Sequence, residues 1–481
     1  MTAGKFLFPL TILIFSLSGY GQAGHNIHIT LKPYKNSLIY LAYYYGKLKA
    51  VADSVTLDDN SKGVFAGKEK LPGGIYMVVS PKKEILFEVL IDSQQSFSVA
   101  VDTLNISKTL TFVNSPENKV FQTYTSFATN DGKQITDLQG QLPQAKSKSD
   151  STAIFEKMKK LNQDVQDYRD SIINKYPGSL LAVLFATMKE PVVPPADRQP
   201  GGKYDTGFVY RYYKSHYWDG VTFTDNRIVR TPILEPKLER YFRDLVPHIP
   251  DSINKEVDWM LLYSRTAKEL YKYLLVHFVQ KYVNPEYMGE DAVFVHLFNK
   301  FINTGQAEFF TEKYRKFLND RAYSMMANLI GEPAANLEMV DSLKKPTPLY
   351  GVSAAFTVVC FWDPTCSHCK VEVPKLDSIY EVKWKAEGVK IYGVMVDGGK
   401  DNWERFIQGH HLGDWINVYE TKEQHDAVEA AGKPGYKQLY DVYQTPTLFL
   451  LDKDKRIIAK QLDFLQFDKI ITLKLNKAKS N

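Results

Sequence analysis

Phe356-Thr357-Val358-Val359-Cys360-Phe361-Trp362-Asp363-Pro364-Thr365-Cys366-Ser367-His368-Cys369-Lys370 is the stretch on which the reading of this chain turns. From Phe356 to Trp362 the residues are uncharged and mostly β-branched or aromatic, and the run is too short for a helix. It therefore predicts a buried strand of a parallel sheet. Asp363-Pro364 marks a turn. From Ser367 to Tyr380, Val371, Leu376 and Ile379 recur among Lys, Glu and Asp at roughly helical spacing, which predicts a helix starting at or just after Cys366. Two thiols separated by Ser367-His368 at a strand-to-helix junction can close a disulfide and reopen it, so redox chemistry is the first functional reading.

At a helix N-terminus the free backbone N–H groups and the positive end of the dipole stabilise an anion, so Cys366 is expected to ionise more readily than a free thiol. His368 would add a second positive charge when protonated. Cys369, one turn deeper, is placed to resolve the mixed disulfide formed by Cys366. Glu372 follows Cys369 by three residues and His368 by four, hence shares their helix face and is the candidate to move protons to and from Cys369. Half a zinc site has the same Cys spacing. The only other cysteine is Cys360, inside the strand. A zinc site would therefore need His368, His410, His411 or His425 to converge. The expectation is no metal and no cofactor, with Cys360 a small buried hydrophobe.

With these residues in view, the segment 331–481 resembles the thioredoxin fold of the TlpA/ResA type, the membrane-tethered or periplasmic thiol-disulfide oxidoreductases. The resemblance rests on the strand ending Val358-Val359-Cys360-Phe361-Trp362, the Cys366/Cys369 pair, Lys370, Glu372, Pro374, and Tyr440 to Asp452 with Thr445-Pro446 inside it. It implies a catalytic set of Cys366, Cys369, Glu372 and His368, a redox-active disulfide between the two cysteines, and a substrate-binding set of Thr445, Pro446 and Trp362. It further implies a cis Thr445–Pro446 peptide facing the thiols, with Thr445 pairing to an extended substrate. Three departures stand out: Thr365 where the family has Trp, Cys360 where thioredoxin has a buried aspartate, and Ser367-His368 between the cysteines. The His before the second Cys resembles the DsbA and protein disulfide isomerase pattern, which implies a couple more oxidising than thioredoxin.

Lys5 precedes the apolar stretch Phe6 to Leu17, and Ser18 to Ala23 is rich in small residues. This reads as a secretory signal over 1–23, cut after Ala23, with an uncleaved anchor as the alternative. The expected location is periplasmic. The expected partners are protein or peptide thiols and disulfides together with a membrane or periplasmic redox partner. At 481 residues with 44% hydrophobic content, the chain can bury several cores. A formal charge of +5 from 60 basic and 55 acidic residues shows no dominant basic cluster, so nucleic acid is not expected as a partner.

Residues 24–113 carry short alternating runs (26–31, 37–45, 75–80, 85–91, 96–101 and 109–113) separated by turn signals, predicting an all-β, sandwich-like domain. Residues 114–330 read as mostly α-helical, with periodic stretches at 150–175, 179–189, 255–282 and 291–303. Both regions resemble, in a general way, domains of unknown function found before TlpA-like domains. The aromatic block from Phe208 to Trp218 fits either helix packing or a peptide groove. The region 410–436 is expected as an added helix and loop beside the active site. The fold expected is thus multidomain, β, then α, then α/β thioredoxin, with 331–481 as the redox domain. Two rival functions follow from the same residues. A thiol peroxidase would carry Thr or Ser at position 363, where this chain has Asp. A partner- or glycan-binding protein would make the redox domain regulatory or vestigial.

Overall fold

The computed structural model of the protein describes residues 24–480, so the expected signal segment lies outside the described residues. The chain packs as two compact units. One comprises the residues up to Leu245 with Thr266–Leu270, and the other Val246–Arg265 with the chain from Tyr271 onward. The helical region expected over 114–330 therefore contributes to both.

The first unit begins with eight strands: β1 (His25–Lys32), β2 (Leu38–Tyr45), β3 (Leu48–Thr56), β4 (Lys62–Gly67), β5 (Gly74–Val79), β6 (Ile85–Ile91), β7 (Ser96–Asp102) and β8 (Thr111–Val113). They form two four-stranded sheets ordered β4-β1-β7-β8 and β3-β2-β5-β6. Alternation puts Ile27, Ile29 and Leu31 of β1 inside with Phe97, Val99 and Val101 of β7. In β5 every residue is buried, because its other face is covered as well. Ile75 and Leu90 on that outer face pack against Phe121 and Tyr124 of the helix Pro116–Gln141, Ile172 of the helix Lys148–Lys175, and Leu184 of the helix Leu180–Thr187. The buried Asn118 side chain ties this helical layer to the sheet, accepting from Leu90 N–H (2.7 Å) and donating to Leu90 C=O (2.8 Å). The C-terminal end of the aromatic block is packed: Tyr217 is fully buried, with ring centroids 5.1 Å from those of both Trp218 and Tyr241, whereas the helix Thr206–His216 before it buries no residue.

The second unit is built on a five-stranded sheet, β9 (Phe356–Trp362), β10 (Val389–Met395), β11 (Ile416–Tyr419), β12 (Thr447–Leu451) and β13 (Ile457–Lys460), in the order β11-β10-β9-β12-β13. β9, β10 and β11 are parallel; β12 runs against them, and β13, antiparallel to β12, returns to their direction. β9 is buried throughout, as expected of a central strand covered on both faces. Its side chains alternate between two cores. Val358, Cys360 and Trp362 meet Cys369, Val373 and Leu376 of the helix Ser367–Ile379 on one face. Val359 and Phe361 meet Tyr436, Tyr440 and Phe449 on the other.

Part of the expected insertion is sheet instead: β11 pairs with β10 two strands away from β9, and the helix Lys422–Ala430 follows it. Within the same unit the helices Pro250–Tyr263, Asp291–Leu297 and Glu312–Met326 precede the sheet, and a buried ion pair joins the second of them to it. Lys460 at the end of β13 donates to Asp291 Oδ2 (2.5 Å), to the carbonyl of Asn328 (2.8 Å) and to Asn328 Oδ1.

Candidate active site

The turn after β9 is held by Asp363, whose Oδ1 accepts from both the N–H and the hydroxyl of Thr365 at 2.7 Å. That turn delivers Cys366 to the N-cap position of the helix Ser367–Ile379, with extended φ/ψ of −66° and 131°. No side chain caps this helix end, so its leading N–H groups are open to the sulfur of Cys366. Cys366 is partly exposed, whereas Cys369 is fully buried. All three cysteines are free thiols.

The two thiols differ in the way the chemistry needs. The Cys366 thiol is drawn below its usual value, first by the hydrogen-bonding side chain of Thr445 and then by the backbone N–H of Cys369, with that of His368 adding to it. The expected help from His368 therefore arrives through its main chain, its side chain standing at the surface. In the protonated state the Cys366 S–H points to the carbonyl of Thr445 at 3.5 Å, so ionisation exchanges that donation for acceptance from the surrounding donors. Burial pushes the Cys369 thiol up to about 11, against a lowering by the N–H of Asp363, which donates to its Sγ at 3.5 Å. Cys360 lies in the same core, wholly buried, and burial raises its thiol well above the ordinary value. Such a thiol packs as a small apolar side chain.

Thr445–Pro446 is a cis peptide. It enters β12, whose antiparallel register on β9 pairs Thr447 with Phe361 and Leu448 with Cys360. Continued outward, that register places Pro446 and Thr445 level with Trp362 and Asp363, the residues that lead into Cys366. Segments about eighty positions apart in the chain thereby meet at one sulfur.

A family model for the AhpC/TSA family matches residues 330–460. This part of the chain is a thioredoxin-like domain of that family. Its relatives include the thiol-disulfide oxidoreductase ResA of Bacillus cereus, 26% identical over 133 residues, covering 27% of this chain and 68% of that protein. The ResA of Bacillus anthracis is 28% identical over 133 residues with the same coverage. Among solved structures, a domain of a possible thiol-disulfide isomerase from Cytophaga hutchinsonii is 33% identical, covering 32% of this chain and 97% of that one, with a TM-score of 0.28. A thioredoxin-like protein from Bacteroides caccae is 19% identical, covering 59% of this chain and 98% of that one, with a TM-score of 0.46. The thioredoxin-like domain thus has thiol-disulfide oxidoreductases as its relatives, and it is preceded by the β and helical regions described above.

Within this domain, Cys366 and Cys369 lie beside the Thr445–Pro446 segment. Trp362 does not join them at the surface. As an inward-facing residue of the central strand it is 0% exposed, its ring 5.0 Å from that of Phe406, so it supports the site from below and offers no face to substrate. The Glu372 carboxylate pairs with Lys375 at 2.9 Å and lines a cavity of about 550 Å³ together with Gln444, Pro446 and Leu448.

The far wall of that cavity was missed by sequence reasoning. It comes from Asn284 to Gly289 and from Arg321, which precede the thioredoxin-like domain in the chain. The only local signal there is the turn composition of Asn284-Pro285 and Gly289. Among the described residues, no group of three or more His, Cys, Asp or Glu side chains could hold a metal ion.

Proposed function

We propose that the protein is an exported thiol-disulfide oxidoreductase acting on protein or peptide disulfides through the Cys366/Cys369 pair. The observation that carries this reading is the asymmetry of the two thiols: one open at a helix N-terminus and lowered, the other buried one turn away and raised.

In the proposed cycle the Cys366 thiolate attacks one sulfur of a substrate disulfide. The Cys366–substrate S–S bond forms as the substrate bond breaks, and the second substrate sulfur leaves as a thiolate. Cys369 then loses its proton and attacks Cys366, closing the Cys366–Cys369 bridge and releasing the first substrate sulfur. Two electrons pass from the protein dithiol to the substrate; a substrate dithiol attacking the bridge reverses each step. Glu372, on the face of the helix that carries Cys369, is the group proposed to take that proton. Thr445 and Pro446 align the substrate, pairing main chain to main chain.

Cys366→Ser is expected to abolish insulin-disulfide reduction, while Cys369→Ser accumulates mixed disulfides visible on non-reducing gels. Equal residual activity in the two variants overturns the assignment. The couple is expected to sit above the thioredoxin potential of about −270 mV, measured by equilibration with glutathione, because a lowered Cys366 favours the reduced form. Export is part of the same reading: the mature chain is expected to begin at Gly24 in a periplasmic extract, with a membrane or periplasmic protein as its redox partner.

A further inference from the structure

The cavity beside Pro446 has a lining and a charge that thiol exchange by itself does not require. Two buried groups of its lining are left incomplete by their neighbours. Asp291 is 3% exposed; its Oδ2 is taken by Lys460, and its Oδ1 has no hydrogen-bond partner. Arg321 is 8% exposed and paired with Asp441 and the carbonyl of Val283, leaving its Nε without one. Both cations of the lining are thus already matched by carboxylates of the lining. Glu286 and Asp463 also face this space, and no cation pairs with either among the described residues. Glu372 adds a further carboxylate, held by Lys375. The rim is apolar and open, with Tyr443 73% exposed and Tyr287 and Met288 also at the surface.

Excess negative charge, a buried acceptor in want of a donor, and an aromatic rim together suit a long cationic side chain, whose methylenes lie on the rim while its head reaches the carboxylates. Gln444 and Pro446, the neighbours of Thr445, belong to the same lining. The side chain would therefore belong to the polypeptide whose cysteine is engaged by Cys366.

We infer that this cavity selects substrates carrying a Lys or Arg close in sequence to the reacting cysteine. The inference rests on the thiol-exchange reading and deepens it by naming the substrate class. It is tested on the reduced full-length chain with three short disulfide-linked peptides that differ only in the residues flanking cysteine: Lys, norleucine or Glu.

Single-turnover reduction is expected to favour Lys over norleucine, and norleucine over Glu, with about a tenfold spread between the extremes that shrinks at 1 M salt. Glu286→Gln and Asp463→Asn together are expected to bring the Lys-to-Glu ratio toward one. Asp463→Asn keeps the hydrogen bond from Gln466 N–H that starts the last helix, and unchanged thermal unfolding verifies both variants. Anisotropy of labelled S-methylated peptides provides a readout independent of exchange and is expected to give the same order. Equal rates and equal binding for the three peptides, or an unchanged ratio in the double variant, overturn the inference and leave thiol exchange standing. Exchange with none of them overturns the reading beneath it.

Discussion

Thr445 makes the largest contribution to lowering Cys366, and it does so from a strand entry rather than from the cysteine helix itself. Thr445→Val is accordingly expected to raise the midpoint of Cys366 alkylation by iodoacetamide, with the wild-type midpoint below that of an ordinary thiol. Cys369 is expected to alkylate in a separate phase that appears only as pH climbs toward 11. The same raised thiol has a stability consequence. In the folded state Cys369 retains its proton at pH values where the unfolded chain has lost it. Its contribution is therefore whole below the ordinary thiol value of 9.0 and is lost as pH rises through about 11. Cys369→Ala should remove that part of the alkaline slope in urea titrations of the reduced protein. At this scale the cysteine pair was legible in the residues themselves, being a local pattern, whereas the cis Thr445–Pro446 partner was an implication of the family resemblance. The substrate contact that the resemblance implied for Trp362 is not made, because β9 is covered on both faces and the indole packs inside against Phe406.

Among the elements, the loop after β10 constrains the active-site turn most directly. Gly398 has φ +91°, and a Cβ there would fall against Asp363 Oδ1 and 2.9 Å from Pro364 Cγ. Gly398→Ala is therefore expected to destabilise the protein by about 1–3 kcal/mol in urea denaturation and to slow Cys366 alkylation by shifting the Asp363 turn. Gly413→Ala, at a position with nothing within 4 Å, is the control expected to do neither. Strands with strong apolar character, such as β5, β6 and β9, are legible in the sequence. β3 and β4 are not. Each is the edge of its sheet and mostly exposed, so neither carries the apolar alternation by which a strand is read. β11 is likewise an edge, four residues long, with Asn417 in its middle.

For the molecule as a whole, the telling contact is the buried Lys460–Asp291 pair, which binds a strand of the thioredoxin-like sheet to a helix that precedes it in the same unit. Lys460→Met leaves the Asp291 charge buried without its partner and is expected to cost about 3–5 kcal/mol. Adding Asp291→Leu should recover most of that loss, and the coupling energy from the four denaturation curves measures the pair. Additive effects of the two substitutions would mean that the pair does not hold the helix to the sheet.

The chain by itself determined the local placement of its cysteine pair. A strand, a turn and a helix N-terminus lie within fifteen consecutive residues, and short-range sterics with backbone hydrogen bonding suffice to set two thiols one turn apart. Tertiary structure alone decided what surrounds them: which carbonyl meets Cys366, which side of β9 faces the helix, and which carboxylates stay unmatched beside Pro446. Those outcomes depend on the pairing of segments far apart in the chain, whose register comes from burial and charge matching in three dimensions.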